Sequence, residues 1–196
     1  MKKVAILIAI TCLLSAMALG SHAEGLDASG SSEYLIKAGF IYNFAKLVEW
    51  PSSAFPQPDS PIVIGILGED PFGATLDRIV TDKKINGRGI AVKRLKWGRD
   101  LKDLRDCNIL FISSSEKEHL DSVVDAMKWL PILTIGDAPG FARRGGIINF
   151  TLEDNKVRFE VNVEAAKHAD LTISSRLLTL ARIVPQQVAA DGRKPE

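Results

Sequence analysis

Two adjacent arginines beside two glycines are the strongest candidate for binding chemistry in this sequence of 196 residues. They are Arg143 and Arg144, followed by Gly145 and Gly146. Two guanidinium groups can clamp a carboxylate or a phosphate, because each presents several N–H donors in a planar fork. Arg176 is a second candidate of the same kind. Arginine is also enriched in protein interfaces, so these side chains could serve either a bound anion or a protein partner.

A serine hydrolase is the main enzymatic alternative, because Ser113, Ser114 and Ser115 precede His119. No Gly-x-Ser-x-Gly nucleophile elbow surrounds these serines. His119 follows Ser115 by one helical turn, and Ser115 is instead expected to begin a helix, with Glu118 completing a capping box. We therefore predict that the protein is not an enzyme. A hydrolase that uses Ser114 or Ser115 with His119 stays open as an alternative.

The sequence contains no motif for a phosphate-bearing cofactor or a metal. The segment Gly68–Gly73 follows a predicted strand, but its glycine spacing matches neither the dinucleotide fingerprint nor the phosphate loop. We expect a turn in which Asp70 caps a helix and Pro71 takes its first position. Among the histidines, neither His119 nor His168 has a metal ligand four residues further on. We predict no cofactor and no metal site.

Residues 1–23 have the pattern of a cleavable secretory signal peptide. Lys2 and Lys3 precede an apolar run over Val4–Leu19, and Ser21 and Ala23 place small residues before the expected cut after Ala23. The run is shorter than the about 20 apolar residues of a membrane helix, so we expect no membrane insertion. The pattern predicts a soluble periplasmic protein. No basic block remains after cleavage, and nucleic acid is not an expected partner.

The rest of the chain is expected to form one domain. Residues 24–32 are a polar leader that ends in a helix cap, residues 33–184 are the domain, and residues 185–196 are a tail that we expect to be disordered. Cys107 is the only cysteine left after cleavage, so no internal disulfide can form. It opens an apolar strand-like run and is predicted to be a buried core thiol. An intermolecular disulfide through Cys107 stays open.

Apolar runs of strand length alternate with helical segments along the domain. The runs cover residues 62–67, 90–95, 108–112 and 132–135, and two more, 147–152 and 157–161, flank a short polar turn. The alternation predicts a three-layer α/β fold with helices on both faces of a twisted, mostly parallel sheet. Its expected strand order is 2-1-3-4, extended by the antiparallel C-terminal hairpin. A last helix is expected over Ser174–Val184, before Pro185.

An aromatic amphipathic helix precedes the first strand and is expected to pack on the sheet. Its apolar side chains share one face at about 100° per residue; they are Ile36, Phe40, Ile41, Phe44, Leu47 and Val48. Pro51 disfavours helical geometry in the residue before it, so the helix is expected to end near Trp50. We predict that Phe40, Phe44 and Trp50 have structural roles.

Taken together, these segments resemble the YfiR family. The matching stretches are Lys37–Lys46, Val48–Pro51, Gly68–Gly73, Cys107–Ile112, Gly145–Ile148, Val157–Asn162 and Ser174–Leu178. They occur in order and span nearly the whole predicted domain, so the resemblance is more specific than any single motif.

The resemblance implies a non-enzymatic periplasmic regulator that represses an inner-membrane diguanylate cyclase by binding the cyclase's periplasmic domain. An outer-membrane lipoprotein would relieve this repression, and the system would control cyclic di-GMP and biofilm formation. Family members that use disulfides carry several cysteines, whereas only Cys107 remains here, so redox control through an internal bridge is not expected. A homodimer stays open. So does a periplasmic sensor that binds a small anion or a nucleotide through Arg143, Arg144 or Arg176.

Overall fold

A computed structural model describes residues 27–98 and 102–186. The predicted signal peptide and residues 187–196 of the predicted tail lie outside the described residues. The sheet belongs to the structural unit that begins at Tyr34. None of the helices in the described ranges has both the length and the apolarity that a membrane crossing requires.

Helices and strands alternate along most of the described chain. The helices are α1 (Asp27–Leu47), α2 (Ala74–Val80), α3 (Lys102–Arg105), α4 (Leu120–Met127), α5 (Val163–His168) and α6 (Ser175–Leu178). The strands are β1 (Val48–Glu49), β2 (Ile62–Leu67), β3 (Lys84–Ile85), β4 (Arg88–Leu95), β5 (Ile109–Ile112), β6 (Leu133–Gly136), β7 (Ile148–Glu153), β8 (Lys156–Val161), β9 (Thr172–Ile173) and β10 (Arg182–Ile183). Short 3-10 helices cover Ser52–Ala54 and Ser114–Glu116.

An eight-stranded sheet with the order β10-β8-β7-β6-β5-β2-β4-β3 is the centre of the domain. Strands β4, β2, β5, β6 and β7 pair in parallel, and β8 pairs antiparallel with β7. The prediction of a mostly parallel α/β sheet with order 2-1-3-4 and a C-terminal hairpin is therefore confirmed. Asp154 and Asn155 make the hairpin turn with φ of 49° and 58°, a left-handed conformation that these two residue types tolerate well.

The sheet has an apolar core on each face, as a three-layer fold requires. One core joins α1 and α2 to inward-facing residues of β2, β5, β6, β7 and β8. The other joins α3 and α4 to the opposite side of β2 and β5. Cys107 lies two residues before β5 and is 3% exposed, and burial raises the pKa of its thiol to about 11. The thiol is therefore protonated at neutral pH.

The first helix differs from its prediction at both ends and in the face that it buries. It begins at Asp27, inside the predicted polar leader, and ends at Leu47 rather than near Trp50, because Val48 and Glu49 are extended and pair with β9. Phe44 is fully buried and Phe40 is half-buried against it. Ile36, however, is 47% exposed, and its neighbour Lys37 is buried instead.

Two predicted helix caps are wrong, because neither Asp70 nor Ser115 is followed directly by an α-helix. Asp70 Oδ1 accepts hydrogen bonds from the amides of Phe72 and Gly73 and so stabilises a turn that contains Pro71, while α2 begins only after Gly73. Ser115 accepts a hydrogen bond from the Glu69 amide at 3.0 Å. The cap of its 3-10 helix is Ser113, and α4 starts at Leu120.

The predicted last helix over Ser174–Val184 is also wrong in its extent. Helix α6 covers only Ser175–Leu178, and the chain then forms strand β10, which pairs in parallel with β8. A local apolar pattern favours a longer helix, but Arg182 gains two carboxylate partners in the extended conformation, Glu153 and Glu160. Tertiary contacts therefore override the local helical preference here.

A guanidinium clamp holds the turn after β2 against β4. Arg94 Nε lies 3.0 Å from Asp70 Oδ2, Nη1 donates to Asp77 Oδ1 at 2.9 Å, and Nη2 donates to the Gly73 carbonyl at 2.9 Å. The hydrogen bond from Arg94 holds the pKa of Asp77 below its usual value of 3.8. Because the folded-state pKa is lowered, the stability that Asp77 contributes is present above about pH 4 and is lost as the pH falls through the folded pKa.

We expect Asp77→Asn to lower the free energy of unfolding near neutral pH by less than about 1 kcal/mol, because Arg94 and Asp77 are both about two-fifths exposed. The difference from wild type should be constant above about pH 4 and should shrink as the pH falls below that value, and urea denaturation at each pH measures it. Asp125→Asn, an exposed change in α4, is the control and should show no such trend. A difference for Asp77→Asn that is constant with pH would contradict this assignment.

Candidate functional site

A cavity of about 360 Å³ lies at the carboxyl end of β6, where the polypeptide leaves the sheet. Its charged and polar lining residues are Asp137, Arg143, Asn149, Thr151, Glu160 and Arg182. Phe150 and Leu152 of β7 add apolar surface. We call this the carboxyl-edge cavity. It lies where open α/β sheets usually bind their ligands.

The loop that carries Arg143 is fixed to the core. Phe141 is fully buried, and the amide of Gly146 donates to its carbonyl at 3.1 Å. The buried side chain of Asn162 donates to the Ala142 carbonyl at 2.8 Å. A side chain at Gly146 would collide with the Phe141 ring, so this position requires glycine. The arginine pair therefore sits on a well-packed loop.

The three predicted contact arginines lie in different surroundings. Arg143 lines the carboxyl-edge cavity with its side chain 38% exposed. Arg144 instead pairs with Asp121 of α4, with a closest distance of 2.7 Å, and this contact raises the pKa of Arg144 and lowers that of Asp121. Arg176 is exposed on α6 and forms no ion pair with any residue that the structure describes. Arg143 and Arg144 therefore do not form a joint clamp.

Glu160 is a nearly buried carboxylate at the base of the cavity, with its side chain 5% exposed. Arg182 donates to its Oε1 from Nη2 at 2.8 Å and from Nε at 3.1 Å, and this bonding raises the pKa of Arg182. Arg182 Nη1 also lies 2.9 Å from Glu153. Arg143 Nη2 is 3.9 Å from the same Oε1, a contact too long for a hydrogen bond. Arg182 thus neutralises Glu160, and the donors of Arg143 remain available at the cavity.

The side-chain amide of Asn149 fixes the strand-end geometry next to Glu160. With its nitrogen turned toward the loop, it donates to the carbonyls of Ala138 and Gly136 at 3.0 and 3.2 Å. In the opposite orientation it makes one 3.4 Å bond to Glu160 Oε2. We assign the first orientation because it forms two shorter hydrogen bonds. Asn149 then ties β7 to the start of the loop that leads to Arg143.

A buried ion pair forms the other wall of the cavity. Asp137 Oδ2 accepts hydrogen bonds from Lys37 Nζ at 2.9 Å and from the Tyr34 hydroxyl at 2.8 Å. The side chains of Lys37 and Asp137 are each 5% exposed. Asp137 Oδ1 is buried and has no hydrogen-bond partner among the described residues. The pair joins α1 to the carboxyl end of β6 and fixes the position of this wall.

The lining of the cavity is therefore largely ionic. The carboxylates of Asp137 and Glu160 are each paired with a cation. Arg143 is partly exposed, and its N–H groups form no hydrogen bond with these carboxylates. Sequence reasoning found Arg143 but missed Asp137, Glu160 and Arg182. Asp137 could have been found, since it directly follows a parallel strand at the edge where such sheets bind ligands. Glu160 and Arg182 could not be recognised from the sequence, because only the pairing of β8 with β10 brings them together.

Three side chains that the hydrolase alternative involves, Ser113, Ser115 and His119, have other hydrogen-bond partners. Ser113 Oγ and Ser115 Oγ accept hydrogen bonds from backbone amides. His119 Nδ1 lies 2.9 Å from Glu116 Oε2, and its ring stacks on Trp97 with centroids 5.8 Å apart. Across the described ranges, no hydrogen bond joins His119 to Ser114 or Ser115, and no group of three His, Cys, Asp or Glu side chains could hold a metal ion.

The structure is thus an α/β domain with an ionic cavity at the carboxyl edge of its sheet. Residues 34–182 match the model of the YfiR/HmsC-like family, and the chain belongs to that family. It is a family of periplasmic regulatory proteins. A comparison with curated proteins found no match.

Proposed function

We propose that this protein is a non-enzymatic periplasmic regulator that represses an inner-membrane diguanylate cyclase by binding the cyclase's periplasmic domain. Repression lowers cyclic di-GMP and restrains biofilm formation, and an outer-membrane lipoprotein relieves it. The observation that carries the proposal is the match of residues 34–182 to the YfiR/HmsC-like family. The predicted signal peptide supports the periplasmic location.

Arg143 is the best-supported contact of the proposed interface. Its guanidinium is partly exposed at the mouth of the carboxyl-edge cavity and is the least engaged of the cavity's cations. Arginine is enriched at binding hot spots, where its planar group can make several hydrogen bonds to a partner carboxylate. Arg144 and Arg176 are proposed as peripheral contacts, because neither lines the carboxyl-edge cavity. Arg144 also already pairs with Asp121. A homodimer is compatible with this arrangement.

Deleting the gene is expected to raise cyclic di-GMP, because the cyclase would lose its repressor. Wild-type protein should restore the low level, and Arg143→Ala should restore it only partly, with at least tenfold weaker binding to the cyclase's periplasmic domain. Arg144→Ala is the matched control, since it removes an arginine from the adjacent position, and it should bind within about threefold of wild type. Cellular cyclic di-GMP and calorimetric titration measure the two effects.

Two results would count against different parts of the proposal. Unchanged cyclic di-GMP on deletion would contradict the regulatory function and would favour a periplasmic sensor of small anions at the same cavity. Full repression and wild-type affinity for a well-folded Arg143→Ala would leave the function standing but remove Arg143 from the interface.

A further inference from the structure

A second and larger cavity, of about 490 Å³, lies at the opposite edge of the sheet. It is formed at the amino ends of β2, β5 and β6, beneath the loop that connects the first 3-10 helix to β2. We call this the amino-edge cavity. Its volume lies within the range of about 300–1,000 Å³ that is typical of small-molecule sites. Arg143, Arg144 and Arg176, the arginines considered above for partner binding, do not line it.

The loop over this cavity is held in place by a buried asparagine. Asn108 Oδ1 accepts a hydrogen bond from the Val63 amide at 2.9 Å, and its Nδ2 donates to the Ala54 carbonyl at 3.1 Å. The indole of Trp50 donates to the Asn108 backbone carbonyl at 3.1 Å. One side chain thus ties both ends of the loop to the start of β5.

Arg88 fixes the middle of the same loop. Its Nη1 donates to the carbonyls of Ser60 and Gln57 at 2.7 and 3.2 Å, and its guanidinium lies 3.8 Å from the centroid of the Phe55 ring. Phe55 is therefore held as one wall of the cavity. A preformed wall favours binding, because a ligand would not have to order the loop and lose conformational entropy.

The lining combines apolar surface with an excess of positive charge. Phe55, Pro61, Val63 and Ile132 contribute apolar groups. Lys93 and Arg105 contribute exposed cations that form no ion pair with a described residue, and Asp106 is the one carboxylate among the described lining residues. The Cys107 thiol also lines the cavity and is uncharged at neutral pH, since burial raises its pKa. The net charge of the lining therefore favours an anion.

We propose that the amino-edge cavity binds a small organic anion whose apolar body packs against Phe55 and the neighbouring prolines. The anionic group, a carboxylate or a phosphate, pairs with Lys93 and Arg105. This inference goes beyond the proposed regulatory function and does not rest on it, because it uses other residues and requires no protein partner.

The test uses 1-naphthoate as the probe and 1-naphthamide as its uncharged match, each titrated into the purified protein by calorimetry. We expect naphthoate to bind at least tenfold more tightly than naphthamide, and the backbone amide signals of Cys107 and Asn108 to shift in NMR spectra. Lys93→Gln combined with Arg105→Gln should weaken naphthoate binding at least tenfold. Titration with 1-naphthyl phosphate shows whether a phosphate is preferred to a carboxylate.

The matched control is Lys156→Gln combined with Arg158→Gln, which removes two exposed cations from the β7–β8 hairpin and should leave naphthoate affinity unchanged. Equal binding of naphthoate and naphthamide would overturn the proposal. Unaltered affinity in the Lys93 and Arg105 double variant, or NMR shifts confined to residues outside the cavity, would also overturn it. Because the assay contains no cyclase, its failure would not affect the regulatory proposal.

Discussion

Replacing Phe44 with alanine is expected to lower the free energy of unfolding by about 3–5 kcal/mol. The side chain is 1% exposed and lies at the centre of an aromatic cluster. Its ring centroid is 5.0 Å from that of Phe159, 5.8 Å from that of Phe150 and 5.9 Å from that of Phe40. Truncation would leave a cavity between α1 and the β7–β8 hairpin, which the surrounding rings could fill only in part. Urea denaturation of the purified variant measures the loss.

Ile36→Ala is the matched control for Phe44→Ala, because it shortens an apolar side chain of the same helix at an exposed position. We expect its free energy of unfolding to stay within about 0.5 kcal/mol of wild type. A comparable loss in both variants would contradict the packing of α1 described above. A large loss for Phe44→Ala alone would confirm that the face containing Phe44, rather than the one containing Ile36, packs on the sheet.

The contrast between Ile36 and Lys37 shows what the periodicity of α1 could and could not predict. The spacing of the apolar residues correctly placed Phe44 on the buried face. It also placed Ile36 on the buried face and Lys37 on the exposed one, because a pattern of apolar and polar residues treats every isoleucine as buried and every lysine as exposed. Lys37 is buried because Asp137, a hundred positions further along the chain, supplies its counter-charge. A local pattern contains no information about such a distant partner.

The sheet was more predictable than the helix ends for a related reason. Strand order follows from the alternation of apolar runs with helices, and the hairpin follows from a short polar turn, so each depends on features that extend over many residues. Helix caps depend on single side chains that have several backbone amides within reach. Asp70 and Ser115 were each expected to cap a helix. Asp70 accepts from the amides of Phe72 and Gly73, as a cap would, but these amides belong to a turn that precedes the helix. Ser115 accepts instead from the amide of Glu69.

The candidate site was predictable only in part. Arg143 was recognisable from its residue type and its glycine neighbours, but its separation from Arg144 was not. Phe141, anchored in the core, fixes the loop so that Arg143 faces the carboxyl-edge cavity while Arg144 reaches Asp121. The direction in which each side chain leaves a loop depends on such packing, which the order of residues does not reveal.

Lys37→Met is expected to lower the free energy of unfolding by about 3–5 kcal/mol, because removing one partner leaves the buried carboxylate of Asp137 without its counter-charge. The Tyr34 hydroxyl would remain as a donor to Oδ2, but Oδ1 already has no partner among the described residues. The variant should also disturb the carboxyl-edge cavity, since Asp137 lines it. Chemical denaturation measures the stability, and NMR signals of residues around Arg143 report the cavity.

A double variant separates the ion pair from the packing of the lysine chain. Replacing a whole buried pair by apolar residues of similar volume is often neutral, so Lys37→Met combined with Asp137→Leu should recover at least half of the loss caused by Lys37→Met alone. Lys167→Met is the matched control: Lys167 and Glu164 lie 2.8 Å apart but are about two-thirds exposed, and we expect no measurable change. If the double variant is less stable than Lys37→Met, Asp137 stabilises the fold through contacts other than this pair. The wall of the cavity would then depend on the carboxylate itself rather than on its link to α1.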